Sequence, residues 1–595
     1  MAFPFQPRLL AALKHYSRAE FAADLIAGLT VGLVALPLAM AFAIASGAPP
    51  QAGIFTAVIA GFIISGLGGT KVAIGGPTGA FIVILYGIGA KYGAENLAIC
   101  TMLAGAILFV MGATRLGTAI KFIPYPVTMG FTSGIAVLIL STQIKDFFGL
   151  KLETQPSDFF PKMKALAAHA GTLQGPTVAL AAASLAVILF WPKRWQRRVP
   201  GTIVALLLGT AAVAIFGLPV ETIGSKFHGI PQGLPAPHWP ALSWENLPNL
   251  IHPAFTIALL AAIESLLCAV VADGMIDDRH DSNQELMAQG LANVLCPIFG
   301  GIAATGAIAR TATNVKSGGR TPVAGMIHAL TLLAIILVAA PLARFIPLAT
   351  LSAVLVNVAL NMGEWHNFAR LPKWPRSDAA VFLTAFSLTV MIDLTVAVEI
   401  GMALAAILFI KRVSENTQII AVDPHTETEG SQHSLVGKVI PDGVMVYSMM
   451  GAFFFGAADK LESVLKRQKQ DPDVLILRLR RIMAMDATGL NALEDLHERL
   501  RRKGKHLLLS APHTHPLLVM ENAGFLDRLG RENVCENIGA ALDRAREILH
   551  LPPLPPPDPL QDEKRKLDLA SHALASALER VNSALESSTG DKRQS

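Results

Sequence analysis

The chain has 595 residues, of which 52% are hydrophobic and 16% are charged, against about 25% charged residues in an average soluble protein. This composition excludes an ordinary soluble protein and indicates a membrane protein. The net charge is +5, and basic loop residues of membrane proteins report orientation rather than a polyanionic partner. Nucleic acid is therefore not an expected partner.

The charges divide the chain into a membrane part and a polar part. Residues 1–410 carry 24 Lys or Arg and 18 Asp or Glu, whereas residues 411–595 carry 25 and 26. We expect four parts, in this order: a cytoplasmic N-terminal segment (1–23), a transmembrane domain (24–412), a small cytoplasmic α/β domain (435–550), and a Pro-rich linker with a helical or disordered tail (551–595).

About fourteen segments of the transmembrane domain are predicted to cross the bilayer, which makes the chain a polytopic α-helical membrane protein. Two are short and interrupted by glycine, near 77–90 and 305–315. The others approach the ~20 apolar residues that a spanning helix needs, and they lie at about 24–45, 51–69, 95–113, 125–143, 177–191, 201–217, 253–272, 286–300, 322–341, 346–361, 378–393 and 395–411.

Basic loops predict the orientation of these segments. With a cytoplasmic N-terminus, the loops at 114–121, 192–198, 316–320 and 370–376 all fall on the cytoplasmic side, where Lys and Arg are enriched. We therefore expect a multi-pass protein of the inner (plasma) membrane, with both termini in the cytoplasm and the Pro-rich stretch 218–252 outside.

The two short segments occupy corresponding places in two halves, about 24–217 and 253–412. GGPTGA begins about forty residues after Pro37, and GGIAATGAIA begins about forty residues after Glu264. Paired broken helices of this kind point to a transport site between inverted repeats.

Arg310 lies in the second broken segment, although an arginine at the bilayer centre costs from about 3 to more than 10 kcal/mol. Two helices that start inside the membrane would direct free N–H groups and positive dipole ends into the gap between them, which favours an anion. The predicted donors are those of Thr78, Gly79 and Ala80 on one side and of Gly306, Ala307 and Ile308 on the other. In the alternative interpretation, the helices are kinked only for packing and Arg310 extends to the cytoplasmic interface.

Glu264 is a second charge in an apolar helix, and it is predicted to couple transport to a proton. A structural ion pair with Arg310 or with a helix end is the alternative. The four cysteines are scattered without metal-ligand spacing, and no Gly-x4-Gly-Lys-Ser/Thr loop is present. We expect no metal site, no cofactor and no enzymatic activity.

Four blocks of the membrane domain resemble the sulfate-permease (SulP) family of anion transporters, the bacterial relatives of prestin and pendrin. They are LPLAMAFAIASGAPPQAGIFTAVIAG, GGPTGAFIVILY, IESLLCAVVADGM and GAIARTATNVKSGGRTPVAG. The resemblance implies seven plus seven inverted-repeat helices split into core and gate domains, a homodimer, and an elevator motion. It also implies an anion site made by Pro77 to Ala80, Gly306 to Ile308 and Arg310, with Phe42 from the first helix.

The sequence departs from some members of that family. Leu38 stands where a glutamine often follows the first-helix proline. The eighth helix reads Glu264-Ser265-Leu266-Leu267-Cys268, whereas sodium-coupled bicarbonate members resemble Asp-Ser-Leu-Leu-Thr there. The missing threonine removes a hard oxygen ligand, so we favour H⁺ over Na⁺ coupling, and the Glu form resembles proton-coupled C4-dicarboxylate members.

The polar part alternates strand-like runs with helix-like runs, which predicts a small α/β domain. The run ILRLRRI followed by MDATGLNAL resembles a STAS domain. In STAS regulators a Ser or Thr after the Asp is phosphorylated, and Thr488 holds that place behind Asp486. A structural cap is the alternative, and a cytoplasmic protein that binds this domain is a further possible partner.

We expect a secondary active transporter of small anions of the bicarbonate, sulfate or C4-dicarboxylate class, coupled to protons. The alternative within transport is a sodium-coupled or uncoupled bicarbonate or sulfate carrier, or an anion exchanger. An alternative of another class is a membrane sensor that signals through its STAS domain.

Overall fold

The computed structural model describes most of the membrane domain and the sheet of the polar domain. The described residues are 5–14, 16–118, 124–152, 155–196, 199–241, 247–392, 394–421, 435, 438–454, 460–461, 463–464 and 472–552. Most of the predicted linker and tail, residues 553–595, lies outside them. The chain forms two compact units, Met1–Ala405 and Ala406–Ser595.

The first unit is helical. Its helices, the last of which continues into the second unit, are α1 (Arg8–Leu13), α2 (Arg18–Ala45), α3 (Pro50–Leu67), α4 (Ile82–Tyr92), α5 (Ala94–Ala113), α6 (Tyr125–Phe148), α7 (Phe159–Ala168), α8 (Gly175–Phe190), α9 (Lys193–Gln196), α10 (Gly201–Phe216), α11 (Ile223–Phe227), α12 (Leu247–Ile276), α13 (Ser282–Leu295), α14 (Ile308–Lys316), α15 (Pro322–Ala343), α16 (Leu348–Met362), α17 (Trp365–Arg370), α18 (Arg376–Met391) and α19 (Leu394–Asn416).

Each predicted membrane segment coincides with one of these helices: α2 to α6, α8, α10, α12 to α16, α18 and α19. Within the described residues, seven helical spans are long and apolar enough to cross a bilayer, and shorter apolar helices accompany them. One of the shorter helices is α4, which begins at Ile82, just after the GGPTGA sequence that was predicted to interrupt this membrane segment. The protein is therefore a multi-pass membrane protein.

The helices of the two halves pack reciprocally. Helix α2 packs on α15, and its counterpart α12 packs on α5; α3 packs on α15, and α13 packs on α5. The third case has α16 as the counterpart of α6 and α18 as the counterpart of α8: α6 packs on α18, and α16 packs on α8. Reciprocal pairs of this kind are what two repeats related by a two-fold axis produce. The helices fall into two groups, α2 to α5 with α12 to α15, and α6, α8 and α10 with α16 and α18.

The two broken segments pair with each other in the first group. Strand β1 (Gly75–Gly76) runs antiparallel to strand β2 (Thr305–Gly306), with Gly75 opposite Gly306 and Gly76 opposite Thr305. The chain enters α4 shortly after β1 and α14 shortly after β2. This pairing brings together two stretches that are more than 200 residues apart in sequence.

The second unit contains a five-stranded sheet of β3 (Gln418–Ala421), β4 (Val444–Phe453), β5 (Val474–Met485), β6 (His506–Ser510) and β7 (Val534–Cys535). The strands lie in this order, and only the β3–β4 pair is antiparallel. Strand β3 lies before residue 435, the predicted start of the domain. The sequence did not indicate this strand, because a four-residue edge strand gives little periodic signal.

Helices cover both faces of this sheet. They are α20 (Ala487–Arg502), α21 (Thr514–Asn522), α22 (Phe525–Leu529) and α23 (Ile538–Ile548). Helices α20 to α22 bury leucines and phenylalanine against one face, and α23 buries an apolar stripe against the other. The predicted α/β domain is confirmed: its sheet is parallel except for the edge strand β3, and helices lie on both sides.

Glycines allow close helix contact in the first group. An added methyl group on Gly105 of α5 would lie 2.6 Å from the carbonyl oxygen of Gly290 on α13, and one on Gly290 would lie 2.6 Å from the carbonyl oxygen of Gly105. Small residues let the helix backbones approach at a crossing of this kind.

Replacement of Gly105 should therefore destabilise the membrane domain. We expect Gly105→Ala to lower the free energy of unfolding by about 1–3 kcal/mol because the added methyl overpacks the contact. Gly66→Ala is the control, since no atom lies within 4 Å of a methyl group there. Thermal unfolding of the detergent-solubilised protein measures both, and equal stability of the two variants would contradict the contact.

Candidate functional site

The candidate site lies where the two broken segments enter their helices. After β1, Thr78 is extended and leads into a 3₁₀ turn, Gly79–Phe81, which continues as α4. After β2, Ala307 is extended and leads directly into α14. Each helix therefore begins beside the strand pair, inside the helical bundle.

Buried polar side chains hold the strand pair in place. Asn293 of α13 donates to the carbonyl oxygen of Ala304 at 2.9 Å and accepts from the Ala304 N–H at 2.8 Å. The Thr56 hydroxyl accepts from the Ile302 N–H at 2.7 Å. These residues carried no signal in the sequence, because a lone Asn or Thr in an apolar helix has many structural uses.

Helix α14 is tied to the first broken segment by two more contacts. The Thr311 hydroxyl accepts from the Ile74 N–H at 2.9 Å, and the Asn314 amide donates to the Val72 carbonyl oxygen at 2.9 Å. The two helix starts are thereby fixed relative to each other by bonds from both halves of the chain.

Arg310 lies between the two broken segments. Its side chain is 2% exposed, and one terminal nitrogen donates to the carbonyl oxygen of Pro77. The other, Nη1, has no hydrogen-bond partner among the described residues and lies against Gly76, where an added methyl group would come within 2.5 Å of it. Extension of Arg310 to the membrane interface is excluded.

The free N–H groups differ in part from the prediction. The Gly306 N–H donates to the Ser265 hydroxyl at 3.2 Å, and the Ala307 N–H donates to the Ile74 carbonyl oxygen at 2.8 Å. These two groups already have partners, so Gly306 and Ala307 are corrected from donors to positioning residues.

The donors left without an intrahelical partner on this side belong to the first turn of α14. The earliest helical bond runs from the Thr311 N–H to the Ala307 carbonyl oxygen. The N–H groups of Ile308, Ala309 and Arg310 therefore lie before the first bond of the helix. Ile308 was a predicted donor, and it stays one.

Thr78, Gly79 and Ala80 stand at the other helix start as predicted. The Thr78 hydroxyl is buried and has no hydrogen-bond partner among the described residues. Phe42 of α2 lies beside this turn, since a methyl group on Gly79 would be 3.4 Å from its Cε1 atom and 3.3 Å from the Cδ1 atom of Ile139. The predicted set is thus gathered around one break in the bundle.

Glu264 lies on the face of α12 that turns toward β2 and α14. Its neighbour Ser265 bonds the Thr305 hydroxyl at 2.7 Å, and Cys268, one turn further along, contacts the Thr311 hydroxyl at 3.2 Å. Glu264 is 8% exposed, and it forms no ion pair with Arg310 or with another described cation. The alternative of a structural ion pair with Arg310 is not what the structure shows.

Two buried carboxylates escaped the sequence prediction. Asp24 accepts from the backbone N–H groups of Arg320 and Thr321 at 2.8 and 3.2 Å and from the Tyr16 hydroxyl at 3.0 Å. Burial and this hydrogen bond raise the pKa of Tyr16 to about 12. Glu285 similarly accepts from the first residues after α3. Both satisfy backbone donors at helix ends, so their role is structural.

The remaining predicted sites are simpler. The described residues contain no group of three or more His, Cys, Asp or Glu arranged to hold a metal ion.

Thr488 lies exposed in the first turn of α20, where the Asp486 carboxylate caps the helix by accepting from the Gly489 N–H at 2.8 Å. Phosphorylation of Thr488 stays a prediction.

A cavity lies near the site. It has a volume of about 420 Å³ and adjoins a second one of about 830 Å³. Its floor includes Ala41 of α2 and Thr142 of α6, which are one residue from Phe42 and three residues from Ile139. The predicted anion-site residues do not line it.

Comparison with known proteins agrees with this architecture. The model of the family described as "Sulfate permease family" matches residues 21–385, and that of the STAS domain matches residues 437–541. "Putative sulfate transporter YvdB" of Bacillus subtilis is 40% identical over 88% of this chain and 98% of its own length. "Bicarbonate transporter BicA" of Picosynechococcus sp. is 32% identical over 82% of this chain and 88% of its own length.

A solved structure extends the likeness to the whole fold. The murine Slc26a9 anion transporter matches with a TM-score of 0.80 at 20% identity, over 91% of this chain and 94% of its own. At that identity the match shows the fold alone. The family match over more than half of the chain, together with the long 40% identical relative, shows that this protein belongs to the sulfate permease family, whose members are transporters rather than enzymes.

Proposed function

We propose that the protein is a secondary active transporter of small anions, which bind between the starts of α4 and α14. The observation that carries this proposal is the Arg310 guanidinium, which is buried, has an unpartnered Nη1 atom and forms no ion pair among the described residues. A buried cation without a counter-ion is costly. An anion held at the two helix starts would supply the missing negative charge and accept hydrogen bonds from the free N–H groups.

The donor set favours oxyanions. Backbone N–H groups from two helix starts, the Thr78 hydroxyl and a guanidinium all donate, and several acceptor oxygens on one anion can use them together. Relatives named as sulfate and bicarbonate transporters support this class of substrate. Our proposal covers sulfate and bicarbonate. It also includes C4-dicarboxylates, because Glu264 in the eighth membrane segment resembles the glutamate of the proton-coupled C4-dicarboxylate members.

Glu264 is proposed to couple transport to H⁺. It shares α12 with Ser265 and Cys268, which contact the second broken segment directly. A change in the charge of Glu264 therefore alters the electrostatic potential where the anion is proposed to bind. The thiol of Cys268 replaces a harder hydroxyl oxygen and bonds Thr311, which leaves little support for Na⁺. Sodium coupling, uncoupled transport and anion exchange are the alternatives.

The two helix groups suggest how access alternates. We propose that the group with α2 to α5 and α12 to α15 carries the anion and moves against the group with α6, α8, α10, α16 and α18 as an elevator. The proposal includes a homodimer in the inner (plasma) membrane with cytoplasmic termini.

The STAS domain is proposed to regulate transport by binding a cytoplasmic partner, through Thr488 phosphorylation or otherwise. If the protein is instead a membrane sensor that signals through its STAS domain, it should take up no anion.

Arg310→Ala should strongly weaken anion binding. Loss of one member of a buried charge pair costs about 2–5 kcal/mol, so we expect sulfate or bicarbonate affinity to fall at least about 30-fold. Titration calorimetry of purified protein measures this. Arg320→Ala is the control, because that side chain carries the same charge but is exposed. Undiminished affinity in Arg310→Ala would remove the proposed site.

Gly76→Ala should also impair transport. The added methyl would lie 2.5 Å from Arg310 Nη1, and Gly76 has a φ of +150° that side chains rarely adopt. We expect uptake into proteoliposomes to fall at least about 10-fold because the guanidinium is displaced. Gly87→Ala in α4, where a methyl group meets open space, should transport normally. Normal uptake by both variants would contradict the placement of Arg310.

Glu264→Gln should separate binding from coupling. The variant keeps the donor set, so anion affinity should change less than about three-fold, whereas an imposed pH gradient should no longer drive accumulation. Glu95→Gln, an exposed carboxylate of α5, controls for the loss of one charge. Full pH-driven accumulation by Glu264→Gln would show that another group carries the proton.

A further inference from the structure

The cavity near the break is lined by charged residues that the proposed transport mechanism does not use. Helix α7, in the segment between α6 and α8, contributes one residue to the lining of this cavity. Lys162 of α7 lines it together with Lys145 and Asp146 of α6 and Lys226 of α11. Among the described lining residues, three lysines face one aspartate, which is a net charge of +2. Glu221, which lines the adjoining cavity, lies 4.0 Å from the Lys226 ammonium.

Among the described residues, the other charges of the lining have partners, whereas Lys162 has none. The Lys226 ammonium lies 3.7 Å from the Asp146 carboxylate, and Lys145 donates to the Leu152 carbonyl oxygen at 2.6 Å. Lys162 is only 1% exposed, yet no described residue forms an ion pair or hydrogen bond with its ammonium.

The position of Lys162 is not that of an ordinary surface lysine. It lies on the buried face of α7, one turn before Leu166, which packs with Leu150 and Leu152. Lys164, two residues on, points outward and is exposed. Burial lowers the pKa of Lys162 to about 8, against the opposing effect of Asp158, so the ammonium remains mainly protonated at pH 7.

Two helices connect residues of the cavity lining with residues at the break. Thr142 on its floor is three residues from Ile139, and Tyr86 on its wall is seven residues from Gly79. At 1.5 Å per residue these separations are about 5 and 10 Å along the helices. An anion in the cavity would therefore be within roughly one Debye length of the helix starts.

We propose that this cavity is a second anion-binding site, at which Lys162 collects small oxyanions before they reach the break between α4 and α14. This inference rests on the proposed anion transport, and it adds a waiting position distinct from the site at Arg310. A net positive, recessed cavity raises the local anion concentration and the rate at which anions arrive.

The test measures the cavity directly and needs no transport. Thr142→Cys places a thiol on its floor, while the native cysteines, Cys100, Cys268, Cys296 and Cys535, are buried. The rate of its modification by anionic sulfonatoethyl methanethiosulfonate is divided by the rate with the cationic trimethylammonium reagent, in detergent-solubilised full-length protein. We expect Lys162→Gln to lower this ratio about 5- to 10-fold, and sulfate to slow the anionic reagent only when Lys162 is present.

Lys164→Gln is the matched control, since it removes the same charge from the solvent face of the same helix. It should leave the ratio and the sulfate protection unchanged. A ratio that is unaffected by Lys162→Gln, or affected equally by Lys164→Gln, would overturn the inference.

Transport kinetics distinguish this inference from the proposed function. Lys162→Gln should raise the KM for sulfate or bicarbonate about 5-fold with a similar maximal rate, whereas Arg310→Ala should lose transport. If the unaltered protein takes up neither anion but the labelling ratio still depends on Lys162, the proposed function fails and the cavity site stands. An unchanged KM with an unchanged labelling ratio would make Lys162 a purely structural residue.

Discussion

A buried guanidinium with no counter-ion among the described residues is the constraint on which the membrane domain depends. Arg310 donates to a single backbone carbonyl oxygen, that of Pro77, and keeps a second nitrogen free of any described partner. Such a charge is too costly to retain for packing alone. The cost is accounted for if the charge serves an anion that comes and goes, because an arginine satisfied permanently by a carboxylate could not bind one.

The rest of the first unit fixes the geometry of this charge. The two broken segments pair as β1 and β2, and side chains from α3, α13 and α14 saturate the backbone groups that the pairing leaves over. Asp24 and Glu285 do the same at helix ends further away. The saturated backbone makes the few unsaturated groups, at Thr78 to Ala80 and at Ile308 to Arg310, chemically distinct. In the proposed site, specificity for an anion comes from which donors remain free.

Local sequence patterns predicted the features that depend on neighbouring residues alone, namely the membrane helices and the two helix breaks. Apolar length predicted the membrane helices, and glycine and proline predicted the two breaks, since these residues interrupt a helix wherever it lies. Which atoms meet across the breaks depends on a pairing between distant stretches, and this could not be read from either one. For that reason Gly306 and Ala307 were expected to be free donors, although Ser265 and Ile74 take their N–H groups. No sequence pattern singled out Lys162, because its burial and its place in the cavity lining depend on the fold.

The account is tested most directly by locating a bound anion. Selenate replaces sulfate and its selenium scatters X-rays anomalously, so crystals grown in selenate report the position of the oxyanion without modelling its shape. The account predicts an anomalous peak within hydrogen-bonding reach of Arg310 Nη1 and of the N–H groups that begin α4 and α14. A protein that takes up selenate but shows no peak at this position, with the anion bound elsewhere in the bundle, would contradict it.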